Sequence, residues 1–228
     1  MSDYAEIVAL VEGQTERIFI ADMLVPYLST RGVYMTPIII SKPGQKGGDI
    51  RFARVKNDIE LHLKQRRDTY LTLFIDFYGI KSDWPGLEEA KQQTTPSRKA
   101  LKINSATKIR VEELFEGYHV DIRFIPYISM HEFEALLFSE PQKLAELLHV
   151  SQAKIEKILT DCGGPENIDD SPMKAPSKRL EKLSAGYKKT STGIAIARSI
   201  GLIKIRESCP IFNDWLTAVE NLTGAFNG

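Results

Sequence analysis

The sequence predicts an α/β protein: a mainly parallel sheet of about four strands flanked by helices, followed by a helical appendage. Short apolar runs alternate with amphipathic segments as far as residue 138, which is the pattern of βαβ units. Beyond that point the strand-like runs stop, and short helical segments follow one another. We therefore expect an α/β domain at 1–138 and a helical C-terminal subdomain at 139–228 packed on it.

Four segments rich in Ile, Val, Leu, Phe and Tyr predict the strands. They are residues 4–11, 33–40, 70–76 and 120–128, with helices expected near 15–29, 50–67 and 106–118. The expected helices of the appendage are 141–148, 151–161, 175–184, 193–200, 202–208 and 210–221. In a doubly wound sheet the first and third strands can be neighbours, so their carboxyl ends are expected to share one edge.

Composition excludes several classes of protein. Thirty basic residues balance thirty acidic ones, so a polyanion would have to be bound by a local patch. The two cysteines lack the Cys-x-x-Cys spacing of a zinc knuckle, and we expect them to be reduced thiols. The sequence does not open on a basic start followed by an apolar stretch, and it contains no run of eighteen apolar residues, so we expect a cytoplasmic protein without a membrane partner.

Acidic residues follow the first and third predicted strands. Glu12 closes the first strand, Gly13 permits a tight turn, and Glu16 falls in the first turn of the next helix. Glu16 is alternatively a simple helix-start residue, and Glu12 could pair with Arg17 instead of a cation. Asp76 closes the third strand in the same way.

The fourth predicted strand is followed by another group of ionisable side chains. Glu132 is the better candidate ligand there, while His131 and Glu134 would act as a proton carrier or outer support. A solvated helix face is an equally good interpretation of Glu134. Carboxylate oxygens suit magnesium or manganese, so we predict a Mg²⁺ or Mn²⁺ site made by Glu12, Asp76 and Glu132.

These motifs resemble those of known families. A strand ending in Glu-Gly and followed by Thr-Glu, with a later strand ending in an Asp motif, is similar to the TOPRIM domain of topoisomerases, bacterial primases and overcoming-lysogenization-defect nucleases. The chain further resembles the prokaryotic family catalogued as domain of unknown function 4276. The segments that carry this resemblance are 11–16, 76–79, 131–138, 175–180, 200–202 and 209–216.

The resemblance implies a TOPRIM-like, Rossmann-type fold and metal-dependent phosphodiester chemistry. By this resemblance Glu12 would be the acid/base or metal-facing glutamate and Asp76 a metal aspartate. Glu16 and Glu132 are our further candidates for the catalytic set. TOPRIM domains usually carry Asp-x-Asp on the third strand, whereas Tyr78 stands here in the place of the second aspartate. Three alternatives remain open. Glu16 and Glu132 supply the missing oxygens, the site holds only one ion, or the protein binds metal and does not cleave.

A basic segment provides candidates for binding phosphate. A helix that starts at Pro176 and Ser177 would direct free amides outward, beside basic side chains. The candidate phosphate ligands are Lys174, Lys178 and Arg179, with Lys46 of the glycine-rich loop 41–49 closing from another side. Ordinary solvated lysines are the alternative.

The function expected from all this is a nuclease acting on DNA or RNA, plausibly in a prokaryotic defence system, such as phage defence, or in genome maintenance. The alternative is a regulatory, non-catalytic TOPRIM subunit that works with a separately encoded ATPase, because the chain has no phosphate-binding loop of its own. A weaker third idea is strand transfer through a covalent tyrosine, which needs a further domain.

Overall fold

The structure is a computed structural model that describes residues 4–41, 50–168 and 174–223. These residues form two compact units. The sheet unit contains 4–41, 50–75, 79–128 and 215–223, and the helical unit contains 76–78, 129–168 and 174–214. The limits of these units differ from the expected boundary at residue 138. Residues 129–138 belong to the helical unit, and residues 215–223 belong to the sheet unit.

The sheet is parallel and has the order β2-β1-β3-β4. Its strands are β1 (Ala5–Val11), β2 (Val33–Ile39), β3 (Thr69–Asp76) and the short β4 (Phe124–Ile125). The first three confirm the predicted strands, and β1 is indeed the neighbour of β3. Every residue of β3 is buried, which explains its nearly continuous apolar sequence.

The fourth predicted strand, 120–128, is wrong in detail. The segment begins with a helical turn, α6 (Val120–Arg123), continues as β4, and ends in a second short strand, β5 (Ile128–Ser129). The turn directs the guanidinium of Arg123 inward, where it donates to main-chain carbonyls of Leu63, Tyr118 and Thr69. A buried cation with several carbonyl partners is the reason why the chain leaves the strand conformation here.

The helices of the sheet unit follow the predicted order, with one addition. They are α1 (Gln14–Phe19), continued by a π-helical turn at Ile20–Leu24 into α2 (Val25–Ser29), then α3 (Phe52–Gln65), α4 (Leu87–Lys91) and α5 (Pro96–Leu114). Helix α4 was not predicted. Helix α5 starts ten residues before the expected position, because the Thr95 side chain accepts the Arg98 amide as a cap.

The expected helices of the appendage are confirmed. The elements are a 3-10 helix at Phe133–Ser139, α7 (Pro141–Leu148), α8 (Gln152–Cys162), a 3-10 turn at Pro165–Asn167, α9 (Pro176–Leu183), a π-helical turn at Lys189–Gly193, α10 (Ile194–Ile200), α11 (Leu202–Ser208), α12 (Pro210–Glu220) and a 3-10 turn at Asn221–Thr223. Among the helices described, none combines the length and the apolar character that crossing a membrane requires.

Trp215 anchors residues 215–223 in the core of the sheet unit. Its indole N–H donates to the Thr72 hydroxyl at 2.9 Å. The ring stacks on Tyr127 with centroids 4.8 Å apart and meets Phe74 edge-on at 5.3 Å. Aromatic contacts of this kind add to the free energy of burying the ring.

We expect Trp215→Ala to lower the free energy of unfolding by about 3–5 kcal/mol, because it leaves a cavity among these rings. Trp215→Phe is the matched control: it keeps an aromatic ring, loses one hydrogen bond, and should cost only about 1 kcal/mol. Denaturant unfolding measures both values. Equal small losses would contradict the anchoring role.

Candidate functional site

Glu12 lies where β1 ends, and the backbone of Gly79 packs directly against its carboxylate. A Cβ atom added at Gly79 would lie 2.7 Å from Oε2 and 3.1 Å from Oε1 of Glu12. No side chain fits in that gap unless the carboxylate moves. Within the sheet unit, the first acidic motif therefore contacts the glycine that closes the Asp76–Gly79 motif.

Glu16 is 7% exposed and lies in the first turn of α1, as predicted. Its Oε2 atom lies 3.2 Å from the place where a Cβ of Gly13 would be, so the carboxylate folds back over the turn. An acid in a first helical turn complements the helix dipole. The helix-start interpretation and a role in the site are both compatible with this position.

Asp76 is the last residue of β3 and is buried in the helical unit. Its Oδ1 atom accepts the amide of Phe133 at 3.1 Å. The amide of Tyr78 donates to the carbonyl of His131 at 3.3 Å, and the Tyr78 ring is 46% exposed. The predicted motifs at 76–79 and 131–138 are thus brought together by main-chain hydrogen bonds.

Glu132 is buried and caps the start of α9. Its Oε2 atom accepts the Ser177 amide at 2.9 Å, and its Oε1 atom accepts the Ser177 hydroxyl at 3.1 Å. The amide that we expected to face outward, ready for a phosphate, is therefore occupied. A buried carboxylate requires such donors, and the helix dipole favours its negative charge at this position.

Glu134 is 1% exposed, and every residue of its 3-10 helix is buried. The alternative of a solvated helix face is therefore wrong for this residue. Its Oε1 atom accepts a hydrogen bond from the Lys189 ammonium at 2.9 Å and from the Tyr187 hydroxyl at 3.4 Å. Its Oε2 atom is buried without a hydrogen-bond partner.

The acids of the helical unit share one electrostatic field with Lys189. Burial raises the pKa of the Glu134 carboxyl, and the charge of Lys189 acts against that rise. Burial lowers the pKa of Lys189, but the charges of Glu134, Glu132 and Asp76 more than offset this, and the net result is a raised pKa. Lys189 consequently remains charged beside three acidic groups.

The basic candidates make local contacts in the helical unit. The Lys178 ammonium pairs with Glu181 at 2.6 Å, and Arg179 Nε donates to the Lys174 carbonyl at 2.8 Å. Lys46 lies outside the described residues. Phosphate binding by these four residues stays a prediction.

Sequence reasoning missed the partners of the acids. Local sequence did not connect Tyr187 and Lys189 with the acids, whereas the structure places both against Glu134. Ser177 looked like a helix start and proved to be the partner of Glu132 as well. The signal available was the apolar run around Glu134, which indicates a buried acid in need of a cation.

Carboxylate oxygens are the donors that Mg²⁺ and Mn²⁺ prefer, so Glu12, Asp76 and Glu132 fit these ions in chemistry. The unpartnered Oε2 of Glu134 adds a buried oxygen in the helical unit. Across the ranges that the structure describes, no group of three or more His, Cys, Asp or Glu side chains could hold a metal ion as placed. The three-carboxylate metal site stays a prediction.

A further buried acid, Glu166, caps the start of α12. It accepts the amides of Ile211 at 3.0 Å and Phe212 at 2.9 Å. Burial raises the pKa of Glu166 to about 7, although the two amides favour the charged form. This carboxyl therefore changes its charge close to neutral pH.

Comparison with known proteins gives a family and one similar structure. The family model described as "Domain of unknown function (DUF4276)" matches residues 11–220. No curated protein matches the sequence. The C-terminal region of the OLD protein of Xanthomonas campestris pv. campestris is similar to the structure with a TM-score of 0.44 and 15% sequence identity, over 98% of each chain. The matched range includes Glu12, Asp76 and Glu132.

We expect Lys189→Met to lower the free energy of unfolding by about 1–3 kcal/mol, since it leaves the Glu134 carboxylate buried without its cation. The Lys189 side chain is 44% exposed, so water screens the pair and the loss should stay below that of a fully buried pair. Glu134→Gln added to Lys189→Met should recover most of the loss. Denaturant unfolding of the four proteins measures the coupling, and additive effects would contradict a direct pair.

The raised pKa of Glu166 predicts a dependence of stability on pH. The folded protein binds the proton more tightly than the unfolded chain, so the contribution is complete below about pH 4.5 and is lost as the pH rises through about 7. We therefore expect the stability of the wild type relative to Glu166→Gln to fall across this range, by about 1.4 kcal/mol per pH unit at most. Thermal unfolding at several pH values tests this. A constant difference would show that Glu166 does not titrate there.

Proposed function

The chain belongs to the family of domain of unknown function 4276, and from the arrangement of its acids we propose that it is a metal-dependent phosphodiesterase of the TOPRIM type that cleaves DNA or RNA. The reaction class is hydrolysis of a phosphodiester bond. A prokaryotic defence or genome-maintenance system is the proposed setting.

The parallel pairing of β1 with β3 is the observation that carries this proposal. Val11 lies opposite Phe74, and an acid follows each of these paired residues within two positions, Glu12 after β1 and Asp76 at the end of β3. Open α/β sheets bind their ligands at the carboxyl ends of the strands. Two acids delivered to one edge of a sheet are what a divalent cation requires.

The charge in the helical unit supports the same chemistry. Asp76, Glu132 and Glu134 act on one lysine, so the group has an excess of negative charge whenever the acids are ionised. A divalent cation would balance that excess. Glu12, Asp76 and Glu132 are the proposed ligands, with Glu16 contributing and His131 and Tyr78 in support.

Each group would have a defined task. Bound Mg²⁺ or Mn²⁺ would activate a water molecule and neutralise the leaving oxygen. Glu12 would orient that water or accept its proton, held in place by the backbone of Gly79. Lys46, Lys174, Lys178 and Arg179 would bind phosphates of the strand.

A second candidate function keeps the fold without the chemistry. Tyr78 stands where TOPRIM domains usually have their second aspartate, and the residues described form no ready group of three metal ligands. A regulatory subunit that acts with a separately encoded ATPase would have these features. It would be inert in cleavage assays, and ATPase activity would co-purify with it from the native host.

We expect the wild-type protein to cleave plasmid or single-stranded DNA or RNA in the presence of Mn²⁺, and Glu12→Gln to reduce the rate by at least about 100-fold, as is usual for loss of a catalytic acid or base. Glu60→Gln, which changes a surface carboxylate paired with Lys64, is the matched control. Equal rates for wild type and Glu12→Gln, well above background, would overturn the proposal.

Gly79→Ala tests the role of Glu12 in cleavage without removing a charge. The added Cβ displaces the Glu12 carboxylate, the end of a flexible side chain, so we expect little change in unfolding temperature and a large loss of cleavage. Mn²⁺ affinity measured by titration calorimetry should fall in parallel. If Gly79→Ala kept full cleavage activity and full affinity for Mn²⁺, Glu12 would have no role in the reaction.

A further inference from the structure

Helix α5 carries a stripe of five residues, of which four are exposed and one, Glu112, is half-buried in the described part of the chain. The α5 stripe consists of Arg98, Leu101, Ser105, Ile109 and Glu112, whose spacing of three or four residues puts them on one face. Leu101 is 70% exposed and Ile109 is 56% exposed. The opposite face is the buried one, with Ala100, Ile103, Thr107 and Val111.

The α5 stripe is symmetric about its central residue. Leu101 and Ile109 lie four residues on either side of Ser105, and Arg98 and Glu112 lie seven residues on either side. When two such helices pair antiparallel about Ser105, each Leu101 meets an Ile109 and each Arg98 meets a Glu112. We propose that a second copy of this chain docks on the α5 stripe, forming an antiparallel two-fold helix pair.

The charges on α5 support this occupant. Within the described residues, Arg98 and Glu112 have no ion-pair partner. A cation near the start of a helix and an anion near its end oppose the helix dipole, so the isolated helix is disfavoured by this order of charges. In the antiparallel pair each of these charges faces an opposite charge of the second copy. That contact compensates the unfavourable interaction of the charge with its own helix dipole.

Size and flanking residues fit a helix pair. The α5 stripe spans fifteen residues, with its ends about 21 Å apart along the helix, and the small Ser105 at its centre permits an interaxial distance of about 8 Å. The Lys108 ammonium is directed to the carbonyl of Asp121, so it does not oppose the second copy. One helix pair is at the low end of specific interfaces in area, and we expect a dissociation constant on the order of micromolar.

The proposal does not depend on the catalytic one, and sedimentation of the full chain over a range of concentrations tests it. We expect a monomer–dimer equilibrium that Arg98→Glu or Glu112→Arg weakens at least about tenfold, because by symmetry each change creates two like-charge contacts. An equimolar mixture of the two variants should associate again, because both contacts become complementary in the heterodimer. Lys99→Glu is the control, because Lys99 is next to Arg98 in sequence but lies outside the α5 stripe. It should leave the dissociation constant of the dimer unchanged.

The double variant Arg98→Glu/Glu112→Arg reports the direction of the helices. It restores opposite charges in an antiparallel pair and leaves like charges facing each other in a parallel pair, so we expect it to dimerise as the wild type does. In a Cys162→Ser background, Ser105→Cys should form an intermolecular disulfide on oxidation and Ser97→Cys should not. A monomer at all concentrations, insensitivity to the charge changes, or a double variant that remains monomeric would overturn the proposal.

Discussion

The contact between Glu132 and Ser177 is the constraint on which the helical unit depends. Taking a carboxylate out of water is costly, and here the amide and hydroxyl at the start of α9 supply the compensation. The amide of the next residue, Phe133, holds Asp76, and the residue after that, Glu134, forms the ion pair with Lys189. Three consecutive residues thus hold the end of β3, the start of α9 and the turn at Lys189–Gly193, so the acids proposed for the chemistry also make structural contacts.

Most of the fold could be predicted from the sequence because its strands and helices have clear periodicities. The fully buried β3 and the helices of the appendage were predicted to within one or two residues. The segment 120–128 was predicted as one strand because its apolar residues satisfy that pattern. Its conformation is decided instead by Arg123, two of whose carbonyl partners, Thr69 and Leu63, are distant in sequence. No local pattern reports a partner sixty residues away.

The candidate site was predictable in its acids and not in their partners. Strand ends mark Glu12 and Asp76 directly, because an acid that closes an apolar run needs a partner to compensate its charge. The environment of Glu134 could be seen only in the folded structure, because Lys189 reaches it from a turn 55 residues further along the chain. The local sequence around Lys189 is typical of exposed lysines. Burial of Glu134 could have been inferred from the apolar residues on both sides of it, and burial alone implies a cation.

The close approach of Gly79 to Glu12 links two positions that are 67 residues apart. A methyl group at 79 fits without displacing the carboxylate only if the acid at 12 is shorter, as an aspartate would be. These positions are therefore expected to vary as a pair in related chains, glutamate with glycine and aspartate with a small side chain. A redesign that keeps the Glu12 carboxylate where it lies must therefore keep glycine at 79, because a Cβ there would meet both carboxylate oxygens.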